Sequence, residues 1–331
     1  MIFVGESENG LFRLPNPIKV EINCEMNVPA DELNIVFPYA SSIPIFRKIY
    51  ALPDDCDNFR LAVREKNVLF SGIVDEQVYR ADADNEEIVF YCRSLAALLL
   101  DNECPPTNYV NPSLSIIFQK HIQPFGITVG SFPESIRGGV LNVPKGSSHY
   151  AAAEKFCREF LGTVPIIDHK GQFYCSPNTK SELILFDNKD GIPFININVC
   201  ENRYKRISQI FVCQNNGYDT SVSDEDAQSR GIVRVRFLNL SDSKTKSLSD
   251  ADEILQKSRK ESFSVILNCC GCLIDKIGCY AEVSAPWCRG KKFIVSAVNY
   301  KNDYKGEISK VKLITESEDI INVDSRNNGS R

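Results

Sequence analysis

The sequence contains few of the residues that most enzymes use for catalysis. Its 331 residues include three histidines, one tryptophan and two methionines. The common signatures of serine hydrolases, zinc proteases, P-loop proteins and dinucleotide-binding proteins are absent. His121, His149 and His169 have no cysteine, serine or carboxylate at a recognised catalytic spacing. We therefore predict a protein that is not an enzyme, with no catalytic, cofactor-binding or metal-binding residues.

Long apolar runs and basic runs are also lacking. The longest apolar run, Leu95 to Leu100, is far shorter than the roughly 20 residues that span a bilayer. No basic residue precedes the apolar residues at the start of the chain, so we expect neither a secretory signal nor a membrane anchor. The formal charge is -5, whereas proteins that bind nucleic acids usually carry a basic face. We therefore expect no specific nucleic-acid binding.

Cysteine is common, with 13 residues. An odd number in such a chain favours reduced thiols in a cytoplasm over a disulfide framework. Cys269, Cys272, Cys279 and Cys288 form the densest cluster, and the first two have the C-x-x-C spacing of a metal site. A zinc or iron–sulfur site and plain packing in strands are both compatible with this pattern. We expect packing, with these thiols reduced and free of metal.

The first hundred residues show the alternation of apolar and polar side chains that is typical of strands. It occurs at 18–24, 33–37 and 59–63, and denser apolar runs follow at 68–74 and 88–92. Such patterning, bounded by polar turns, predicts half-buried antiparallel strands.

The period changes after the Pro105-Pro106 break. Asn111 is a candidate N-cap for a helix that starts at Pro112 and ends before Gly126. A second helix is predicted at about 148–161, and two short strands joined by a turn follow it. The middle of the chain is thus a small α+β region.

Strand patterns return in the last third of the chain. A polar stretch at 214–231 predicts a mobile loop between two of these strands. The apolar pair at 68–74 and 88–92 has an echo at 292–298 and 310–314, where two strands again stand about a dozen residues apart. Chance and duplication of a domain both explain this echo. The other strands predicted here are 207–213, 232–238 and 279–283.

The junction CRSLAALLLDNECPPTNYVNPSLSIIFQKHIQPFGI, which starts at Cys92, resembles a segment of the baseplate hub proteins of contractile phage tails and tailocins, the late-control-protein-D-like family. In that family a strand is followed by a Leu-rich segment, a Pro-rich break, a helix opened by Asn-Pro and a PFGI exit. The likeness continues upstream in NVPADELNIVFP and VLFSGIVDEQ, and downstream in FLGTVPIIDHKGQFYC and FIVSAVNYKNDYKGEISKVKLI. It spans roughly residues 15 to 315, and the cysteine cluster is not part of it.

The resemblance implies an α+β, mainly β fold with two similar antiparallel β-barrel domains like those of tail tubes, at 1–101 and 201–314. A small α+β region is inserted at 102–200, and 315–331 is expected to be a flexible tail. The implied role is structural. Three chains form a ring with pseudo-sixfold symmetry that joins a hexameric tail tube to a trimeric spike.

The partners that the resemblance implies are two further copies of the chain, the tail spike protein, tail tube or tube-initiator proteins, and the tape-measure protein. The protein is then expected in the cytoplasm of a bacterial host during assembly, and afterwards in the virion tail baseplate or the tailocin particle.

Two other functions remain open. The spike of a secretion system shares the hub domain, but it is expected to continue into a long repetitive β-prism. A peptidoglycan-cleaving tail enzyme would need two carboxylates that are close in space, which a sequence does not reveal.

Overall fold

Strands dominate the structure, as the alternating patterns predict. The computed structural model describes residues 1–26, 28–40, 43–83, 85–131, 139–175, 180–214, 217–238 and 248–316. The strands are β1 (Ile2–Ser7), β2 (Gly10–Arg13), β3 (Lys19–Glu25), β4 (Glu32–Pro38), β5 (Lys48–Leu52), β6 (Phe70–Ala81), β7 (Glu86–Ser94), β8 (Thr107–Val110), β9 (Thr128–Ser131), β10 (Val140–Val143), β11 (Ile166–Ile167), β12 (Gln172–Tyr174), β13 (Lys180–Phe186), β14 (Phe194–Glu201), β15 (Gln209–Gln214), β16 (Gly217–Ser223), β17 (Val235–Leu238), β18 (Phe263–Cys270), β19 (Cys279–Val283), β20 (Phe293–Asp303) and β21 (Gly306–Thr315).

The helices are few, and all of them except α6, which has 15 residues, are short. They are α1 (Phe59–Glu65), α2 (Ala96–Asp101), α3 (Leu114–Ile117), α4 (His149–Phe156), α5 (Glu225–Ser229) and α6 (Leu248–Ser262). Helices α3 and α4 each continue as one π-helical turn, Phe118–Ile122 and Cys157–Leu161. Among the described residues, no helix is both long and apolar enough to cross a membrane.

One sheet of 13 strands organises the molecule. We call the strands β3-β4-β7-β6-β5-β1 the N-terminal half-sheet and the strands β14-β18-β21-β20-β19-β13 the C-terminal half-sheet, each in its spatial order. Strand β2 extends the first half-sheet beyond β1, and the pairing of β20 with β3 joins the two.

The two half-sheets have the same strand order. When the six strands of each are numbered along the chain, the spatial order is 2-3-6-5-4-1 in both. Four of the five pairings are antiparallel in both halves, and the fifth differs, because β1 is antiparallel to β5 whereas β13 is parallel to β19. The predicted mainly β fold with antiparallel sheets is confirmed, and the hairpins β6-β7 and β20-β21 occupy matching places.

A β-bulge gives these two hairpins a common register. The pairing of β6 with β7 shifts between Val74 and Glu76, and that of β20 with β21 shifts between Val295 and Ala297. In each case one extra residue, Asp75 or Ser296, is inserted opposite the partner strand. The bulges therefore align the two halves residue by residue, with Val74 corresponding to Val295 and Glu76 to Ala297.

A single apolar core fills the space enclosed by both half-sheets. It contains Phe37 and Phe90 from the first half and Val265 and Phe293 from the second, each at most 1% exposed. Apolar side chains on alternate positions of β3, β4, β7, β18 and β21 point into it, which is the physical basis of the period-two pattern.

The inserted α+β region has a core of its own, built mainly from α2, α3, α4 and two small sheets. The two helices predicted here are confirmed. However, the N-cap of α3 is Ser113, whose Oγ accepts a hydrogen bond from the N–H of Ile116, and not Asn111. Asn111 has a φ of 49° and its side chain accepts a bond from Gly139 instead. Pro112 thus precedes the cap.

Strands β13 and β14, at 180–201, pair within the large sheet with β19 and β18. All but the last residue of these strands, Glu201, falls inside the range 102–200 that the resemblance assigns to the inserted region. On β13, Ile184 and Phe186 are buried in the main core, whereas no apolar residue of β14 is fully buried and its Ile195 is 59% exposed. Of the expected tail, 315–331, Thr315 ends β21 and the residues after 316 lie outside the described ones.

The prediction of a mobile loop at 214–231 is wrong, because β16 and α5 lie within this range. Strand β16 pairs with β15, and β17 completes a three-stranded sheet that α6 covers. Asp224 caps α5 by accepting a hydrogen bond from the N–H of Ala227. The same carboxylate, fully buried, pairs with Arg206 and Arg259 from distant segments. Ion pairs between segments that are distant in the chain thus allow this polar sequence to fold.

The strand predicted at 59–63 is also wrong, because helix α1 occupies these residues. The short run FRLAV satisfies an alternating pattern and equally the helical spacing of Phe59, Ala62 and Val63. Asn58 decides between them, since its side chain accepts a hydrogen bond from the N–H of Leu61 and caps the helix.

Candidate assembly surface

The internal seam, which we define as the pairing of β20 with β3, shows how two half-sheets join. Six residue pairs run from Ala297 opposite Glu25 to Asn302 opposite Val20. On the inner face Tyr300, opposite Ile22, is only 1% exposed. On the outer face the Lys301 Nζ lies 3.1 Å from a carboxylate oxygen of Glu21. The seam therefore has an apolar side and a charged side.

Strand β20 makes this seam with only its second half. Its first residues, Phe293 and Ile294, pair with β19, and the strand then passes the bulge and pairs with β3. Strand β6 is built in the same way. Its first half, residues 70–73, pairs with β5, and residues 76–81 follow the bulge.

We call residues 76–81 of β6 the β6 edge. In the described part of the chain they pair with β7 on one side, and no strand lies on the other. Counting from the bulge, Tyr79 corresponds to Tyr300 and Arg80 to Lys301. Tyr79 is 53% exposed, whereas its counterpart is buried against β3. A free strand edge with an exposed tyrosine is a surface to which another strand can add.

Strand β14 provides a second free edge, which we call the β14 edge. Among the described strands it pairs only with β18, whereas its counterpart in the first half, β3, is paired on both sides. The register through β18 and β21 makes Val199 the equivalent of Ile22 and Cys200 the equivalent of Asn23. The side chain of Ile195 on this strand is 59% exposed.

The structure brings two of the three histidines together inside the inserted region. The Nδ1 atoms of His121 and His149 are 3.2 Å apart, and the Nε2 of His121 lies 2.9 Å from the hydroxyl of Tyr109. Burial, and secondarily the neighbouring His149, lowers the pKa of His121 to about 4. The pair is therefore neutral near pH 7, and it forms a hydrogen-bonded chain within the core of the insertion.

The cysteines of the cluster at 269–288 are distributed over the core of the C-terminal half-sheet. Cys269, Cys279 and Cys288 are buried, and Cys272 is half-buried. Burial raises the pKa of Cys269 and of Cys272 to about 11, so both are thiols at neutral pH. The absence of metal there stays a prediction.

Another group of potential ligands was not visible in the sequence. The side chains of Cys24, Asp31 and His169 offer ligand atoms that all lie within 4.8 Å of one another. In the described residues this is the one group of three or more such side chains, and it contains no cysteine of the 269–288 cluster. Because its members are separated by up to 145 positions, no spacing rule finds them.

Comparisons with known proteins place the fold. No protein-family model matches the sequence, and no curated protein is similar to it at a significant level. Solved structures do match over nearly the whole chain. A tail protein from Neisseria meningitidis MC58 superposes with a TM-score of 0.71 at 15% identity, covering 96% of each chain.

Two further structures have the same architecture. The 43 kDa tail protein of prophage MuSo2 from Shewanella oneidensis gives a TM-score of 0.74 at 14% identity, over 95% of this chain and 99% of that one. An E. coli type VI secretion system component, described as structurally similar to the T4 tail proteins gp27 and gp5, gives 0.53 at 9% identity, over 92% and 74%. The chain therefore has the fold of phage tail proteins, and the resemblance read from the sequence is confirmed at the level of fold.

Proposed function

We propose that the protein is a structural hub of a contractile tail, in which three chains form a ring through the β6 edge of one chain and the β14 edge of the next. The observation that carries this proposal is the internal seam. Its two strands, β20 and β3, are the counterparts of β6 and β14. Each chain thus contains one complete strand–strand contact, the internal seam. It also contains the β6 edge and the β14 edge, the two unpaired strand edges that an equivalent contact between chains would need.

The geometry of such a ring follows from symmetry. A contact between two different surfaces closes into a ring only when the rotation at each step fits. Three chains with two half-sheets each would present six similar units, with internal seams alternating with seams between chains. Such a ring could meet a hexameric tail tube on one side and a trimeric spike on the other, and the tape-measure protein within the tube.

The register of the seam between chains can be worked out from the internal one. Asn299 lies opposite Asn23, and Tyr300 lies opposite Ile22. The corresponding pairs across the proposed seam are Val78 with Cys200 and Tyr79 with Val199. Burial of Tyr79 on assembly would make the two kinds of seam alike.

This proposal divides the chain differently from the sequence prediction. We propose a first β-domain at 1–95, an inserted region at 96–175 and a second β-domain at 180–316, with the unit at 202–262 as an insertion within the last. The division follows the sheet pairing of β13 and β14 and the separate apolar cores. The protein would be made in a bacterial cytoplasm and end in the tail baseplate, and it would be structural rather than enzymatic.

Cross-linking tests the proposed register. In Val78→Cys the new thiol would face the exposed Cys200 of the neighbouring chain. Directly opposite residues of antiparallel strands have Cα atoms about 4.5–5.5 Å apart, within the range of a disulfide. Mild oxidation of concentrated protein should therefore yield a covalent trimer that reduction dissolves.

Two controls make this result specific. Val78→Cys combined with Cys200→Ser should give no trimer. Arg80→Cys presents a thiol on the same face but two positions away, about 7–8 Å from its diagonal neighbour, which is too far for an unstrained disulfide. Absence of the covalent trimer with Val78→Cys at all concentrations, or its persistence without Cys200, would contradict the proposal.

The fold similarity to the E. coli secretion component supports a second candidate, a spike component of a secretion system. Both candidates use the same seam. Electron microscopy of particles that incorporate a tagged chain would separate them, because only a tail hub is found at the end of a tube within a phage or tailocin particle.

A further inference from the structure

We propose that Cys24, Asp31 and His169 bind a zinc ion that fastens the inserted region to the N-terminal half-sheet. The ligand atoms would be the Cys24 Sγ, a carboxylate oxygen of Asp31 and an imidazole nitrogen of His169. This site does not involve the β6 edge or the β14 edge, and it goes beyond the proposed hub function.

The three side chains come from separate parts of the fold. Cys24 lies on β3, Asp31 just before β4, and His169 in the turn between β11 and β12 of the inserted region. They are 2%, 8% and 4% exposed, so all three converge in the interior where the insertion meets the sheet. A metal ion there would link chain segments that are distant in sequence.

Backbone contacts hold the ligand residues in place. The carboxylate of Asp31 accepts a hydrogen bond from the N–H of Glu25, at 3.2 Å. The N–H of Asp31 donates to the Ser94 Oγ at 3.0 Å, and its carbonyl accepts from the Ser94 N–H at 2.8 Å. The carbonyl of His169 accepts from the N–H of Ser71 at 2.8 Å, which docks the turn onto β6. Such surrounding bonds orient ligands and are typical of metal sites.

The ligand set selects the kind of metal. Thiolate and imidazole ligands favour zinc and similar transition metals, whereas magnesium and calcium prefer oxygen ligands alone. Zinc bonds of about 2.0–2.3 Å in a tetrahedron place the ligand atoms roughly 3.3–3.8 Å apart. The present group, with all ligand atoms within 4.8 Å, needs only a small contraction to reach that geometry. The fourth position would take a water molecule.

A depression on the protein surface lies next to one of the ligand residues. Cys24 lines this depression together with Val28, Ala30 and Val298.

Metal analysis of the purified full chain tests the proposal. Protein stripped with a chelator and then dialysed against zinc should retain about one equivalent per chain. Cobalt in place of zinc should give the near-ultraviolet absorption of a cobalt–thiolate bond and the visible bands of a tetrahedral site, which report directly on Cys24. Zinc should also raise the melting temperature of the stripped protein.

Variants assign the metal to this site. Cys24→Ser and His169→Gln should each lose the bound zinc, and Cys24→Ser should lose the thiolate band. Cys92→Ala removes another buried cysteine of the same half-sheet, and Cys279→Ser removes one of the 269–288 cluster. Both controls should bind zinc as the parent does.

Several results would overturn the proposal. The proposal is wrong if the folded parent protein takes up no zinc and shows no cobalt–thiolate absorption. This test does not depend on whether the ligand variants fold. Retention of the metal by both ligand variants, or its loss in Cys279→Ser alone, would place it elsewhere. Failure of the Val78→Cys cross-link would leave this result unaffected, so the two proposals fail separately.

Discussion

If the β6 edge is an assembly surface, replacing Tyr300 should weaken the folding of the single chain, whereas replacing its counterpart Tyr79 should weaken the association between chains. Tyr300 lies in the internal seam and is 1% exposed, whereas Tyr79 is 53% exposed. Tyr300→Ala should destabilise the monomer by about 3–5 kcal/mol, as expected for loss of a large buried ring. Tyr79→Ala should destabilise the monomer much less, because the Tyr79 side chain is 53% exposed and its interactions are with Tyr39 and Glu86.

The effect of Tyr79→Ala on assembly can be worked from its exposed area. An aromatic side chain offers about 150–250 Å² for burial, so a ring that is 53% exposed has about 100 Å² left to bury. At about 25 cal/mol per Å², its loss weakens the association constant of each seam between chains about 50- to 100-fold.

Two measurements on the same variants check this prediction. Chemical denaturation of dilute monomer gives the unfolding free energy, and sedimentation or light scattering across a concentration series gives the association constant. Tyr79→Phe is the matched control and should assemble nearly as the parent does. If Tyr79→Ala assembles with unchanged affinity, the equivalence of the β6 edge with the internal seam is refuted.

Two other predictions concern stability. Asp224→Asn should destabilise the unit at 202–262 by up to about 3–5 kcal/mol, because it removes the buried counter-charge of Arg259 and leaves Arg206 paired only with the partly exposed Asp226. Limited proteolysis of this segment measures the effect, and unchanged resistance would contradict it. The low pKa of His121 should make the inserted region sensitive to acid, because the unfolded chain takes up a proton below about pH 6.5 whereas the folded one resists until about pH 4. The contribution of His121 to the free energy of unfolding is then fully present above pH 6.5, and it falls by up to about 3 kcal/mol as the pH drops to 4. His121→Leu should remove this slope in acid melting curves.

The sequence was sufficient to predict the strands with a clear period of two. β3, β4, β7, β20 and β21 each place apolar side chains on one face, and that face is buried in the common core. The helix predicted at about 148–161 is present as α4 and its π-helical turn, and the left-handed Gly162 that ends it is a local signal.

Predictions from the sequence were wrong where a strand pattern and a helix pattern both fit the same few residues. The run at 59–63 fits both a strand and a helix, and a side-chain cap at Asn58 selects the helix. The polar stretch around Asp224 folds because Arg206 and Arg259 reach it from segments 18 and 35 positions away. Such charge pairing has no local signature.

The mainly β character and the echo of one hairpin in the other were visible in the sequence, because alternation and order along the chain are local properties, but the echo alone left chance and duplication open. Which strands join the two half-sheets was decided only by the tertiary structure. The seam between β20 and β3, the free edges at 76–81 and 194–201, and the convergence of Cys24 with His169 each depend on segments that are far apart in the chain. Proximity of that kind is a product of packing around the shared core, and no pattern along one strand encodes it.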